Sequence, residues 1–126
     1  MNSSSVTSFE DTFYNALRFN GSVSDWDVSS TTSFEGCFDS ALSFNQDISG
    51  WDVASSEKFQ AMFFNAESFN QEISGWDVTS SENFFAMFYF ATDFNQCLEW
   101  SIDYTDNRFM FDGSPGSLGN STHPCA

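Results

Sequence analysis

The stretches FNQDISGWDV (residues 44–53) and FNQEISGWDV (69–78) differ at one position and stand 25 residues apart. Reading outward from them, the whole chain falls into register. Trp26, Trp51 and Trp76 keep the 25-residue spacing, and Trp100 follows 24 later. The columns Phe9/Phe34/Phe59/Phe84, Phe13/Phe38/Phe63/Phe88, Ala16/Ala41/Ala66/Ala91 and Phe19/Phe44/Phe69/Phe94 share that period, and Asn20, Asn45, Asn70 and Asn95 each follow the last Phe. A further column runs Val23, Ile48, Ile73, Leu98. Self-similarity of this length marks a repeat architecture, in which a unit unable to bury its own apolar face buries it against its neighbours. The array spans 1–112, with units at about 6–30, 31–55, 56–80 and 81–104 and a partial fifth at 105–112; 113–126 is a Gly/Ser/Pro-rich cap or tail.

Two patterns alternate inside a unit. Phe59, Met62, Phe63 and Ala66 lie at i, i+3, i+4 and i+7, one face of an α-helix. Ser55 and Ser56 are placed to cap it and Glu57 suits its positive end. After Phe69-Asn70-Gln71 the spacing changes: Trp76 and Val78 share one side of an extended segment and Asp77 the other, with Gly75 relieving the bend before it. The expected fold is therefore an α/β solenoid, an LRR-like right-handed coil with one short parallel strand and one short helix per unit and a C-terminal cap. A four-helix bundle is disfavoured by the Trp-Asp-Val segments.

The quoted decapeptides, together with the Met-Phe-x-x-Ala motif at 62–66 and 87–91, resemble the BspA-like leucine-rich-repeat family of surface proteins. The resemblance covers residues 6 to about 112. It implies an LRR-like fold, a secreted or cell-surface setting and a role in adhesion or recognition; it lends no catalytic residues. The pattern departs at Thr12 and Cys37, which occupy the Met62/Met87 column, and at Gly21, which replaces Gln.

Composition narrows the function. Eighteen acidic residues stand against three basic ones, for a net charge of −15. Nucleic acid and anionic membrane surfaces both require a basic face, and no apolar run reaches the length of a membrane span. Seventeen Phe and four Trp argue for a packed chain rather than an acidic disordered tail. Residues 1–8 show no positive segment and no apolar stretch of a signal peptide. No polar capping segment precedes the first unit, so a fragment of a longer array remains open. The single His, His123, has no partner at a telling spacing, and no phosphate loop or Cys/His metal motif is present. An enzyme is not expected.

Five groups of residues are candidates for function, stabilisation or modification. Asp27, Asp52 and Asp77, with Asp103 nearby in the next unit, would form an acidic column on a concave face. At about 4.8 Å spacing each pair repels by about 0.9 kcal/mol in water, which weak Ca²⁺ binding or a cationic ligand would relieve; an ordinary solvated face is the simpler reading. Phe64, Phe85, Tyr89 and Phe90 flank the core columns and would make an aromatic patch on the convex side. Cys97 faces outward and Cys125 lies in the tail, so a Cys97–Cys125 disulfide closing a loop of about 29 residues would add about 3–4 kcal/mol; Cys37 sits in an apolar column as a buried thiol. The Asn column with Gln46, Gln71 and Gln96 is structural. Asn2, Asn20 and Asn120 head glycosylation sequons.

The expectation is thus a non-enzymatic recognition or adhesion module, extracellular or at the cell surface, that binds a protein or glycan on its concave face without a cofactor. The alternatives are a subunit of a larger assembly packing through its aromatic side, and a weakly Ca²⁺-binding acidic surface component.

Overall fold

The computed structural model describes residues 3–102, 107–119 and 124–125. Successive 25-residue units stack one on the next, and the stacking is visible in every column. Phe9, Phe34, Phe59 and Phe84 lie ring on ring at 5.8–5.9 Å. Phe13, Phe38, Phe63, Phe88 and Phe111 do so at 5.2–5.6 Å, and Phe19, Phe44, Phe69 and Phe94 at 5.9 Å. Trp51, Trp76 and Trp100 continue the pattern at 6.4 and 6.2 Å. Within a unit, Phe38 stacks on Phe44 and Phe63 on Phe69 at 3.9 Å. Most of these rings are almost wholly buried and form one continuous core, with Phe13, Phe19 and Phe111 at its ends partly buried against it.

The α/β solenoid expected from the sequence does not form. The described residues contain no helix, and their only paired strands are β1 (Cys97–Leu98) and β2 (Ser117–Leu118), which run parallel. The run expected to be helical is a chain of tight turns. In the second unit Cys37, Asp39 and Ala41 donate their amides to the carbonyls of Phe34, Gly36 and Phe38 three residues back. The residues between them, Phe34, Gly36, Phe38 and Ser40, donate instead to Lys58, Gln60, Met62 and Phe64 of the next unit. An α-helix would send every amide four residues back along its own axis. Here alternate amides point along the stack and tie neighbouring units together.

The backbone conformation explains the switch. Gly36 and Ser40 have positive φ, as do Asp11 and Asn15, Ala61 and Asn65, and Ala86 and Phe90 at the equivalent positions. A left-handed residue every fourth position turns the peptide plane over and breaks the helical ladder. For a non-glycine residue each such conformation costs about 1 kcal/mol. Ring stacking, at about 0.5–1.5 kcal/mol per pair beyond burial, offsets that cost. Because the turn pair also repeats every four residues, it places i, i+3, i+4 and i+7 on one side, as a helix would. Phe59, Met62, Phe63 and Ala66 are accordingly buried together.

The strand expected at Trp-Asp-Val is also absent. Trp51 donates its amide to Ile48 and Ser56 to Val53, so this part is turned as well. Parallel bridging occurs elsewhere, through Ser8, Ser33, Lys58 and Asn83, just ahead of the turn run. Side chains connect the units around the remaining corners. The indole Nε1–H groups of Trp51 and Trp76 donate to the carbonyls of Val23 and Ile48 at 3.0 Å. The hydroxyls of Thr31, Ser56 and Ser81 each reach the carbonyl 25 residues back. The amides of Asn45, Asn70 and Asn95 donate to the Oδ1 of the preceding Asn at 2.8–2.9 Å, and Gln46, Gln71 and Gln96 brace the same corner.

At the C-terminal end the described part of the tail packs across the fourth unit. Cys97 pairs with Ser117 and Leu98 with Leu118, and Cys97 and Cys125 form a disulfide.

Candidate functional site

The aromatic residues singled out in the sequence come together around one groove. Phe64 and Tyr89 occupy the same column of the third and fourth units and stack at 4.8 Å. Phe85 meets Phe109 of the fifth unit edge to face at 5.6 Å. Phe64, Phe85, Tyr89 and Phe109 line an open cavity of about 320 Å³, with Ala86 in its wall and Asp112 completing the lining. Phe90 lies beside it, edge-on to Tyr89 at 4.6 Å. Phe85, Phe90 and Phe109 are 39%, 47% and 52% exposed.

The repeat shows why these rings reach solvent. The Phe85 column reads Glu10, Glu35, Gln60, Phe85, and the Phe90 column reads Asn15, Ser40, Asn65, Phe90. Three units place polar residues at both positions and only the fourth places phenylalanine. The backbone there is the same in kind, since Phe90 keeps the positive φ of Asn15, Ser40 and Asn65. The rings thus stand where the other three units carry polar side chains, and Phe85 also meets the fifth unit through Phe109. Phe109, Arg108 and Asp112 were not singled out as site residues. They enter because the shortened fifth unit docks its own turns on the fourth: Ala86, Phe88 and Phe90 donate amides to Arg108, Met110 and Asp112. The Arg108 guanidinium lies 5.7 Å from the centre of the Phe85 ring.

The aspartates behave differently. Asp27, Asp52 and Asp77 are exposed, and the Oδ1 of each accepts the amide two residues on, from Ser29, Ala54 and Thr79. Ser29 and Thr79 add hydroxyl donors at 2.6 Å. These side-chain and backbone hydrogen bonds hold the Asp27 and Asp77 carboxyls below the usual range. Asp47 and Glu72 form the same turn with Ser49 and Ser74, with the same effect. Each carboxylate is a local turn cap. Asp103 lies outside the described residues, as do Asn2, Asn120 and His123. The described residues contain no group of three or more His, Cys, Asp or Glu side chains arranged to hold a metal ion.

Of the cysteines, Cys37 is a free buried thiol. Burial, reinforced by the charge of Asp11, pushes its ionisation far above the usual thiol range, which leaves it an inert packing residue.

The family model described as "Mycoplasma protein of unknown function, DUF285" matches residues 1–101, and the chain belongs to that family. No curated protein and no solved structure matches it.

Proposed function

We propose that this DUF285 protein is a non-enzymatic recognition module that meets a protein partner through the aromatic groove of its fourth and fifth units. One observation carries the reading: two columns that are polar in three units become phenylalanine in the fourth, where the rings stand exposed around an open cavity. Exposed aromatic clusters of this kind favour binding, since Tyr, Trp and Phe supply large contact area at low entropic cost. The aspartate face is the weaker candidate, because its carboxylates already serve their own turns. Catalysis lacks a nucleophile–base pair or a histidine constellation in the sequence.

A secreted or cell-surface setting fits the same reading. DUF285 is associated with BspA-like surface repeat proteins, and the Cys97–Cys125 bond favours an oxidising compartment.

The test is a Phe85→Ser plus Phe90→Ser double variant, compared with the parent for thermal stability and for attachment to panels of immobilised host-surface and extracellular proteins. An unchanged melting temperature with attachment lost supports the groove. Full attachment by the double variant, or collapse of its fold, overturns it.

A further inference from the structure

We infer that the groove receives a basic side chain, a guanidinium or ammonium group carried on an extended segment of the partner; this rests on the reading of the groove as the recognition surface. Three observations point to a cation. The lining is built from aromatic faces and edges, and the ring face is the negative part of the quadrupole. The one charged residue in the lining is acidic, Asp112. The surrounding chain carries a net charge of −15, a field that concentrates cations and repels acidic segments.

Arg108 shows the chemistry at work within the molecule: its guanidinium already lies over Phe85. That contact occupies part of one ring and leaves Phe109 more than half exposed. A partner's Arg or Lys enters beside it, over Tyr89 and Phe109, with its charge toward Asp112. Arg108 is then a like-charged neighbour that weakens the incoming cation. This gives the inference a sign that a purely apolar groove lacks.

The experiment uses the full chain, ¹⁵N-labelled, titrated with three blocked peptides of the form Gly-Ser-X-Gly-Ser-X-Gly in which X is Arg, Leu or Glu. The Arg peptide is expected to shift the amides of Phe85, Ala86, Tyr89 and Asp112. Its affinity should fall by about 3–10-fold in Asp112→Asn and in Phe109→Ser, rise about 2–5-fold in Arg108→Ala, and weaken several-fold between 50 and 500 mM salt. Weaker binding in Arg108→Ala, or equal binding in high salt, overturns the cation. Binding of the Leu peptide but not the Arg peptide overturns the cation while leaving the groove as a recognition surface. Binding of the Glu peptide in preference to the Arg peptide overturns the charge argument. No shift with any peptide removes both readings.

Discussion

Replacing Trp76 by Phe tests the stack as the source of stability. Trp76 is 4% exposed, lies between Trp51 and Trp100 at 6.4 and 6.2 Å, and packs on Phe59 at 5.8 Å. Its Nε1–H donates to the Ile48 carbonyl at 3.0 Å. That carbonyl also accepts the Trp51 amide at 3.1 Å, so removing the indole donor leaves it paired. The hydrogen-bond loss is then an ordinary one of about 1 kcal/mol rather than the larger cost of an orphaned buried group. The smaller ring adds about 1–2 kcal/mol of lost contact in a core that cannot fully close. The sum is about 2–3 kcal/mol. The same substitution at Trp26 is the control. Trp26 is only partly buried, packs on Phe9 and Phe13, and no described residue accepts its Nε1–H. Trp26→Phe should cost under about 1 kcal/mol. Urea unfolding of both variants, read as the shift in midpoint at constant slope, measures the difference. Equal costs would refute the idea that an indole gains its worth from the unit stacked before it.

Gly36 has φ +63°, and a Cβ there would collide with the Asp11 carboxylate; Gly36→Ala should destabilise by about 1–3 kcal/mol in the same assay. Asn70 accepts the Asn95 amide and the Gln96 side chain through Oδ1; Asn70→Ala should cost about 1 kcal/mol, while Asn70→Asp, which keeps the acceptor, should cost measurably less. Reducing the Cys97–Cys125 bond should lower stability by about 3 kcal/mol, and a thiol titration should find none reactive in the folded protein, one after denaturation and three after reduction. Asp27, Asp47, Glu72 and Asp77 have folded-state pKa values below their ordinary ones of 3.8 and 4.5. Their contribution is present above the ordinary carboxylate range and is lost as pH falls through the lowered values. Changing all four to the amide should flatten the acid limb of a stability–pH curve measured from pH 6 to pH 2.

The repeat and the buried columns were legible because hydrophobic side chains recur with the period of the stack whatever the backbone does between them, and the disulfide because Cys97 falls in an outward column and Cys125 in the tail. The helix was not. Phe59, Met62, Phe63 and Ala66 fit a helix of 3.6 residues per turn and a four-residue turn pair equally well. The distinguishing signal lay in the columns two residues off the core, where Asp11, Gly36, Asn15 and Asn65 are the residue types most tolerant of left-handed backbone. Ala61, Ala86 and Phe90 dilute that signal at the same positions. The aromatic patch was visible as a list of residues, but its closure into a groove required the docking of a shortened fifth unit, whose two-residue change of register no periodic reading supplies.

The irregularities of the fourth unit then acquire a common meaning. A stack held by column contacts constrains the positions that face the next unit and leaves the outward ones free to vary. Glu10, Glu35 and Gln60 show what the first three units place there: polar side chains that hydrogen-bond between units, Ser33 to Glu10 and Gln60 to Glu35. Phe85 in their place, and Phe90 in a left-handed conformation that phenylalanine disfavours, both run against local preference. Neither belongs to the column of Phe63, Phe88 and Phe111, which stacks ring on ring beside them. Exposed rings at positions that three units keep polar, one of them on a left-handed backbone, are where binding is most economically sought.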